Sequence, residues 1–306
     1  MRGAHNFSSL SRYSAAVDRL TLPVDFPLAL RATLSPLGGH FRPDGWWAPM
    51  RTPDGPATLH LRRGGRAVEA TAFGPGESWA LESVPGLIGF DDHPERFQTS
   101  HPLVRELHRR NPGMRIGRTR RVFDALLMAI VTQKVTGKEA GRSMRHLTRA
   151  YSSPAPGPMI LQLPPDPDQL AAATYFDLHP LGIEQRRADT IRRVAADARH
   201  IEKLAGNAPA EVCVYLERIR GIGVWTSAET VAVSHGDNDA LSVGDFHLKN
   251  QVAWHLTGCP RGTDEEMIEL LEGFRPHRGR VIRLLATLGH APSFGPRVPI
   301  RSIAEI

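Results

Sequence analysis

The sequence predicts an α+β fold with its two kinds of structure segregated: a small β-rich N-terminal domain followed by a mostly helical bundle. Two contrasts in the pattern lead there. Before about residue 100 the apolar residues fall in short extended stretches between turn signals, with no long helical period. Beyond it they recur at spacings of three and four, which place them along one helix face. Strands first and helices afterwards argue against alternating βαβ units.

In the N-terminal part, Leu59-His60-Leu61 and Ala67-Val68-Glu69-Ala70 are candidate strands, bounded by Thr52-Pro53-Asp54-Gly55-Pro56 and Gly64-Gly65. Three helical stripes follow: Phe123, Leu126, Leu127 and Ile130; Ile191, Val194, Ala195, Ala198 and Ile201; Val281, Ile282, Leu284, Leu285 and Leu288. Residues 153–168 hold six prolines and form a helix-to-helix loop. The expected division is a β-rich domain over 1–100, a helical domain of some eight to ten helices over 101–292, and a tail over 293–306.

With 306 residues, 41% hydrophobic and 23% charged, the chain can bury one large core or two smaller ones. Its net charge of +6 suits a polyanionic partner. Of 38 basic residues only Lys134, Lys138, Lys203 and Lys249 are lysines, which restricts any chemistry that needs an amine. Two cysteines, Cys213 and Cys259, are too few for a four-thiolate iron–sulfur cluster or a zinc ribbon. They read as reduced thiols of a cytosolic protein, and a bacterial cytoplasm fits best. No apolar run reaches a membrane span, and the first twenty residues lack the apolar core of a signal peptide. No His, Cys and carboxylate spacing supports a metal, whether at Asp91-Asp92-His93 or at His247, which reads as packing or a nucleic-acid contact.

The stretch from Leu216 to Val231 carries the most information. It predicts a helix ending near Arg218, a tight turn through Arg220, Gly221, Ile222 and Gly223, and a new helix from about Val224. The glycines permit a sharp turn and close approach to another chain, with Ile222 packed inward. The second helix would offer unpaired N–H groups and its positive dipole end to a phosphate. Asp245 follows Trp225 by twenty residues, after Gly244 and before the pattern Phe246, Leu248, Val252, Ala253 and Leu256. It is placed to cap a helix. Two arginine-rich runs, 105–121 and 275–283, are candidate phosphate contacts, with Arg120 and Arg278 singled out.

The hairpin Ile-Arg-Gly-Ile-Gly-Val-Trp-Thr and the aspartate after it resemble the HhH-GPD superfamily of DNA glycosylases, in particular the AlkA-like 3-methyladenine DNA glycosylase II branch. The stretch Phe123–Thr136, the segment Leu181–Ile191 and the turn Phe274-Arg-Pro-His-Arg278 extend the resemblance over roughly residues 100–290. Pro27 to Leu37 and Trp79 to Leu87 more loosely resemble that branch's small β domain.

The resemblance implies a helical HhH-GPD catalytic domain in base excision repair that flips a damaged base, an alkylated purine above all, out of double-stranded DNA and hydrolyses its glycosidic bond. It implies a catalytic Asp245 that stabilises positive charge on the sugar and helps the attacking water. Lyase members carry a lysine where this chain has Trp225, and an indole forms no imine, so a monofunctional enzyme is expected. Trp225 and, one turn on, Glu229 are candidates for the base pocket. The related branch has an aromatic residue at the second position, so Glu229 departs from it. At most one of Trp46 and Trp47 could add a pocket wall, since neighbours in a strand face opposite ways. Gln133 and Lys134 are joint candidates for the residue that fills the gap left by the flipped base. Lys249, one turn past Asp245, reads as a phosphate-facing lysine and, alternatively, as a substitute nucleophile. The protein is expected to act as a monomer, without a membrane or cofactor, apart from a structural monovalent cation the hairpin carbonyls could hold. Two alternatives stay open: a weak or inactive DNA-binding protein on the same fold, or a glycosylase for a deaminated, oxidised or bulky lesion.

Overall fold

The computed structural model describes residues 18–292. The expected tail over 293–306 and the first seventeen residues, on which the signal-peptide expectation falls, lie outside the described residues. Among the described residues five strands form one antiparallel sheet: β1 (Asp18–Pro23), β2 (His40–Arg42), β3 (Gly45–Thr52), β4 (Gly55–Gly64) and β5 (Ala67–Phe73), in the order β1-β5-β4-β3-β2. Both candidate strands are present, in β4 and β5, and the two turn signals join β3 to β4 and β4 to β5. β5 alternates strictly, burying Val68, Ala70 and Ala72. The pattern hid β3, which contains Pro49. That residue lies beyond the reach of β2, whose pairing stops at Trp47, so one side of β3 is a free edge there and a missing N–H is tolerated. One sheet face packs against the short helices α1 (Leu30–Leu34), α2 (Glu77–Glu82) and α3 (Val84–Leu87) over a core that includes Trp46, Met50, Leu59 and Leu61.

Helices follow from residue 102: α4 (Pro102–Arg110), α5 (Val122–Thr132), α6 (Gly137–Tyr151), α7 (Pro167–Ala172), α8 (Tyr175–Leu178), α9 (Gln185–Ala196), α10 (Ala198–Lys203), α11 (Pro209–Glu217), α12 (Val224–Ser234), α13 (Leu248–Thr257), α14 (Asp264–Glu272) and α15 (Arg278–Leu285). These twelve among the described residues exceed the expected eight to ten, because one periodic run can break without changing its buried face. The stripe from Ile191 to Ile201 is buried throughout, yet Asp197 interrupts it between α9 and α10, and its carboxylate accepts the Tyr215 hydroxyl at 2.6 Å. Short α7 begins at Pro167, inside the stretch expected to be a loop, where Asp166 caps it, and short α8 follows where no long period is visible.

The helices enclose two apolar clusters. One joins α5, α6, α7, α9, α10, α11 and α12 around Leu126, Ile130, Ile191 and Val231. The other joins α4, α13, α14 and α15 around Val104, Val252, Leu271 and Leu284. The segment between α12 and α13 crosses from one to the other: Ala240 packs on the first cluster, while Leu241, Val243 and Leu248 pack on the second. This seam carries Asp245.

The start of α5 is held by an acid from another helix. Glu202 of α10 accepts the backbone N–H groups of Val122 and Phe123 at 3.0 and 2.9 Å. This pairing suits the positive end of a helix. Burial, and then the charge of Asp124, push the Glu202 carboxyl up to about 7. A carboxyl raised on folding binds its proton more tightly in the folded state, so its contribution to stability falls as pH rises from the ordinary glutamate range through about 7. Glu202→Gln is therefore expected to gain on the wild type between pH 5 and 8, by up to about 3 kcal/mol. Urea unfolding of both proteins at the two pH values checks this; a pH-independent difference would show that Glu202 does not titrate there.

Candidate active site and nucleic-acid interface

The hairpin forms where the glycines predicted it. α11 ends at Glu217, the turn follows, and α12 begins at Val224. Ile222 is buried in the first helical cluster and anchors the turn from beneath. Gly221 has φ +101°, a conformation glycine adopts without strain. Its carbonyl accepts the Gln133 side-chain amide at 3.0 Å, and the Arg220 carbonyl accepts Arg193 Nη1 at 2.6 Å. Across the hairpin, Ser227 Oγ donates to Glu217 Oε1 at 2.6 Å and locks α11 to α12. Gly223, at the N-cap of α12, supplies no side-chain cap, and Gly221, Gly223 and Val224 are exposed. The first N–H groups of α12 thus have no intrahelical partner and lie where Gly221 and Gly223 offer no side chain to obstruct a phosphate.

The seam brings Asp245 to the same helix. Gly244, at φ +88°, turns the chain, and its N–H donates to Asp264 Oδ1 at 3.0 Å. Asp245 Oδ1 accepts the backbone N–H groups of His247 and Leu248, both at 2.8 Å, just before α13 begins. Its Oδ2 accepts Trp225 Nε1 at 3.0 Å. The expected capping position is there, but the carboxylate does more than cap: three donors fix its rotation, one of them from the helix that carries the hairpin.

Glu229 lies one turn after Trp225 on the same helix, and its half-buried carboxylate accepts a short hydrogen bond from Ser242 Oγ. Burial raises the Glu229 carboxyl above its ordinary value. The Ser242 hydrogen bond opposes that rise, the charge of Asp245 adds to it, and Arg283 pulls it back. Trp225, Glu229 and Asp245 therefore share one side of the seam.

Other sequence-derived candidates are placed differently. Gln133 spends its amide on the hairpin, donating to both Gly221 and Thr226 Oγ1, the latter at 2.8 Å. Lys134, exposed at φ +54°, is what the loop between α5 and α6 presents. Lys249 Nζ donates to Asp264 Oδ2 at 2.9 Å instead of standing free, and this bond raises its pKa. Arg120 is exposed at φ +57°. Arg278, by contrast, is buried in a two-pronged ion pair with Asp239, Nε to Oδ1 at 3.0 Å and Nη2 to Oδ2 at 2.7 Å. Its guanidinium braces the chain between α12 and α13 instead of facing solvent.

Much of both arginine runs turns inward in the same way. Arg115 donates to the carbonyls of Gly89 and Asp92, Arg121 pairs with Asp124, and fully buried Arg280 pairs with buried Asp92. Asp92 thus belongs to an ion-paired core. Neither tryptophan reaches the site: Trp46 is enclosed in the sheet core, and Trp47 on the other face stacks on His60 and donates to Asp44. Among the described residues no group of three or more His, Cys, Asp or Glu is arranged to hold a metal, and no helix is long and apolar enough to cross a membrane.

Sequence reasoning placed Phe246 in the helical pattern, whereas it precedes α13. It stands exposed beside Asp245, edge-on to His247. The same reasoning missed Ser242, and it read Arg283 as one of a phosphate-facing run although its Nη1 is buried; the relation of both to Glu229 is purely tertiary.

Fold and site together define a class: an α+β protein with a helix-hairpin-helix and an oriented carboxylate beside the hairpin's second helix. Residues 127–276 match the family described as HhH-GPD superfamily base excision DNA repair protein. Over those residues, from α5 to just before α15, the chain carries the HhH-GPD match. A Bacillus subtilis protein named, provisionally, as the DNA-3-methyladenine glycosylase YfjP is 22% identical over 160 residues, 51% of this chain and 55% of that protein. The matched region thus spans about half the length of that curated relative. Among solved structures, a 3-methyladenine DNA glycosylase from Archaeoglobus fulgidus superposes with a TM-score of 0.73 at 17% identity, covering 88% of this chain and 97% of that one. An 8-oxoguanine glycosylase/lyase from Clostridium acetobutylicum, in complex with double-stranded DNA, gives 0.65 at 16% identity, covering 85% and 91%. These two likenesses establish the fold.

Proposed function

We propose that the protein is a monofunctional DNA glycosylase that flips a damaged base, an alkylated purine, out of double-stranded DNA and hydrolyses its bond to the sugar. The observation that carries this reading is the Asp245 carboxylate, held by three donors beside a hairpin whose uncapped helix end suits a phosphate. In the reaction the C1′–N bond breaks and the base leaves with the bonding pair. Asp245 stabilises the positive charge that develops on the sugar. A water oxygen then bonds to C1′, and the carboxylate takes the proton that water gives up. Trp225 supplies an electron-rich face for a cationic base as well as its hydrogen bond to Asp245. Lys134 fills the gap in the duplex, Gln133 holds the loop that carries it, and Arg120 meets a phosphate.

The absence of lyase chemistry rests on two residues. Trp225 cannot form an imine, and Lys249 is held protonated by its bond to Asp264, which leaves its nitrogen no lone pair for attack. Duplexes with defined lesions should release free base and show strand breaks only after hot alkali. Borohydride should trap no protein–DNA adduct. An adduct that vanishes in Lys249→Ala but survives Lys134→Ala would make the protein a lyase with a relocated nucleophile.

A further inference from the structure

Arg283, on α15, is an anomaly. Its Nη1 is buried without a hydrogen-bond partner, and among the described residues no ion pair joins the guanidinium to any acid. Burial, and then the charge of Arg280, lower its pKa to about 10, so it remains a cation at neutral pH. The helix that carries it packs on the chain leading to Ser242: the Arg280 N–H donates to the Asn238 carbonyl at 3.2 Å and the Arg278 N–H to Asp239 Oδ1 at 3.1 Å. No hydrogen bond or ion pair joins Arg283 to Glu229, although the charge of each shifts the pKa of the other. Glu229 in turn has one hydrogen-bond partner, Ser242, three residues before Asp245. A half-buried cation with one buried, unpartnered nitrogen and a half-buried anion that do not pair leave donors and acceptors for a third group.

We infer that Glu229 and Arg283 read the polar edge of the base held beside Asp245, and that the edge they accept is that of a guanine-type purine. The inference rests on the glycosylase reading and names the substrate class of that site. A carboxylate accepts hydrogen bonds, so it faces the N1–H and the exocyclic 2-amino group. A guanidinium only donates, so it faces the O6 carbonyl. An adenine-type edge reverses both: its 6-amino group would meet the guanidinium and its bare N1 would meet the carboxylate. Each mismatch leaves a buried charged group unpaired, which is the most discriminating form of rejection a pocket has. The damage then lies on the opposite, imidazole side of the purine. There N7-alkylation would make the base cationic for the Trp225 face.

The test uses DNA treated with a methylating agent, which carries 7-methylguanine and 3-methyladenine in one substrate. Released bases are separated and their initial rates compared, each corrected for abundance. The wild type should favour 7-methylguanine. Glu229→Gln, whose amide both donates and accepts, and Arg283→Met should each move the ratio at least tenfold toward 3-methyladenine. Because the ratio is internal to one digest, a partial loss of folded protein cancels. Ser242→Ala, which frees the carboxylate to turn, should move it less and in the same direction, and serves where the charged-site variants do not fold. A wild type that favours 3-methyladenine, or ratios unchanged in all folded variants, overturns the inference and leaves the glycosylase reading standing. A wild type that releases neither base overturns both.

Discussion

Asp245→Asn is expected to lower the single-turnover rate of base release by about 10²–10³-fold or more, while affinity for lesion DNA changes little. The amide is nearly the same size as the carboxylate but carries no charge, so it cannot balance the positive sugar of the transition state. Only interactions stronger in the transition state than in the ground state alter the chemical step, and this one develops with the charge. The hydrogen bonds around Asp245 also oppose the change. Its oxygens accept from His247 N, Leu248 N and Trp225 Nε1, and an amide can accept on one side only. Whichever way it turns, its NH₂ group meets a donor. Trp225→Phe in the Asn background removes one opposing donor and separates misorientation from lost charge. Lost charge predicts that the double variant stays as slow as Asp245→Asn. Single-turnover kinetics beside an affinity measurement decide it, and an Asn variant at the wild-type rate would remove Asp245 from the chemistry.

The hairpin and Asp245 were legible in the sequence because each is written in local code. Two glycines around a buried Ile222 specify a turn, and an aspartate after Gly244 specifies a helix start. What surrounds them was not legible, because it depends on which segments meet. Nothing near Arg278 or Arg280 in the chain announces Asp239 or Asp92, so both arginines read as surface charge. Gln133 read as a duplex-facing residue for the same reason: its partner, Gly221, lies 88 positions away. The segregated α+β order was visible, since it follows from periodicity, but β3 was concealed by a proline that only an edge strand tolerates. Glu229 stood out only as a departure from the related branch. Its meaning depends on Ser242 and Arg283, which reach it through the packing of α15 and the α12–α13 segment.

The strongest structural test of the interface is Gly221→Ala. A side chain there violates two constraints at once. At φ +101° an L-residue is outside its ordinary backbone regions, which costs of order 1–3 kcal/mol. An added Cβ would also lie 2.1 Å from Thr190 Oγ1 and 3.0 Å from its Cγ2. Thr190 is buried on α9 and donates to the Arg186 carbonyl at 2.8 Å, so it cannot swing aside freely. The turn must shift, and with it the Gly221 carbonyl that Gln133 holds and the exposed start of α12. The expected result is a lower melting temperature together with DNA affinity weakened tenfold or more. Thr190→Ala in the same protein removes the Oγ1 and Cγ2 contacts but leaves the backbone angle and a 3.1 Å approach to Cβ. The double variant should therefore recover part of the stability and not all of it, and the non-additivity measures the contact directly. A Gly221→Ala protein that melts and binds DNA like the wild type would mean that the turn neither has this conformation nor packs on Thr190.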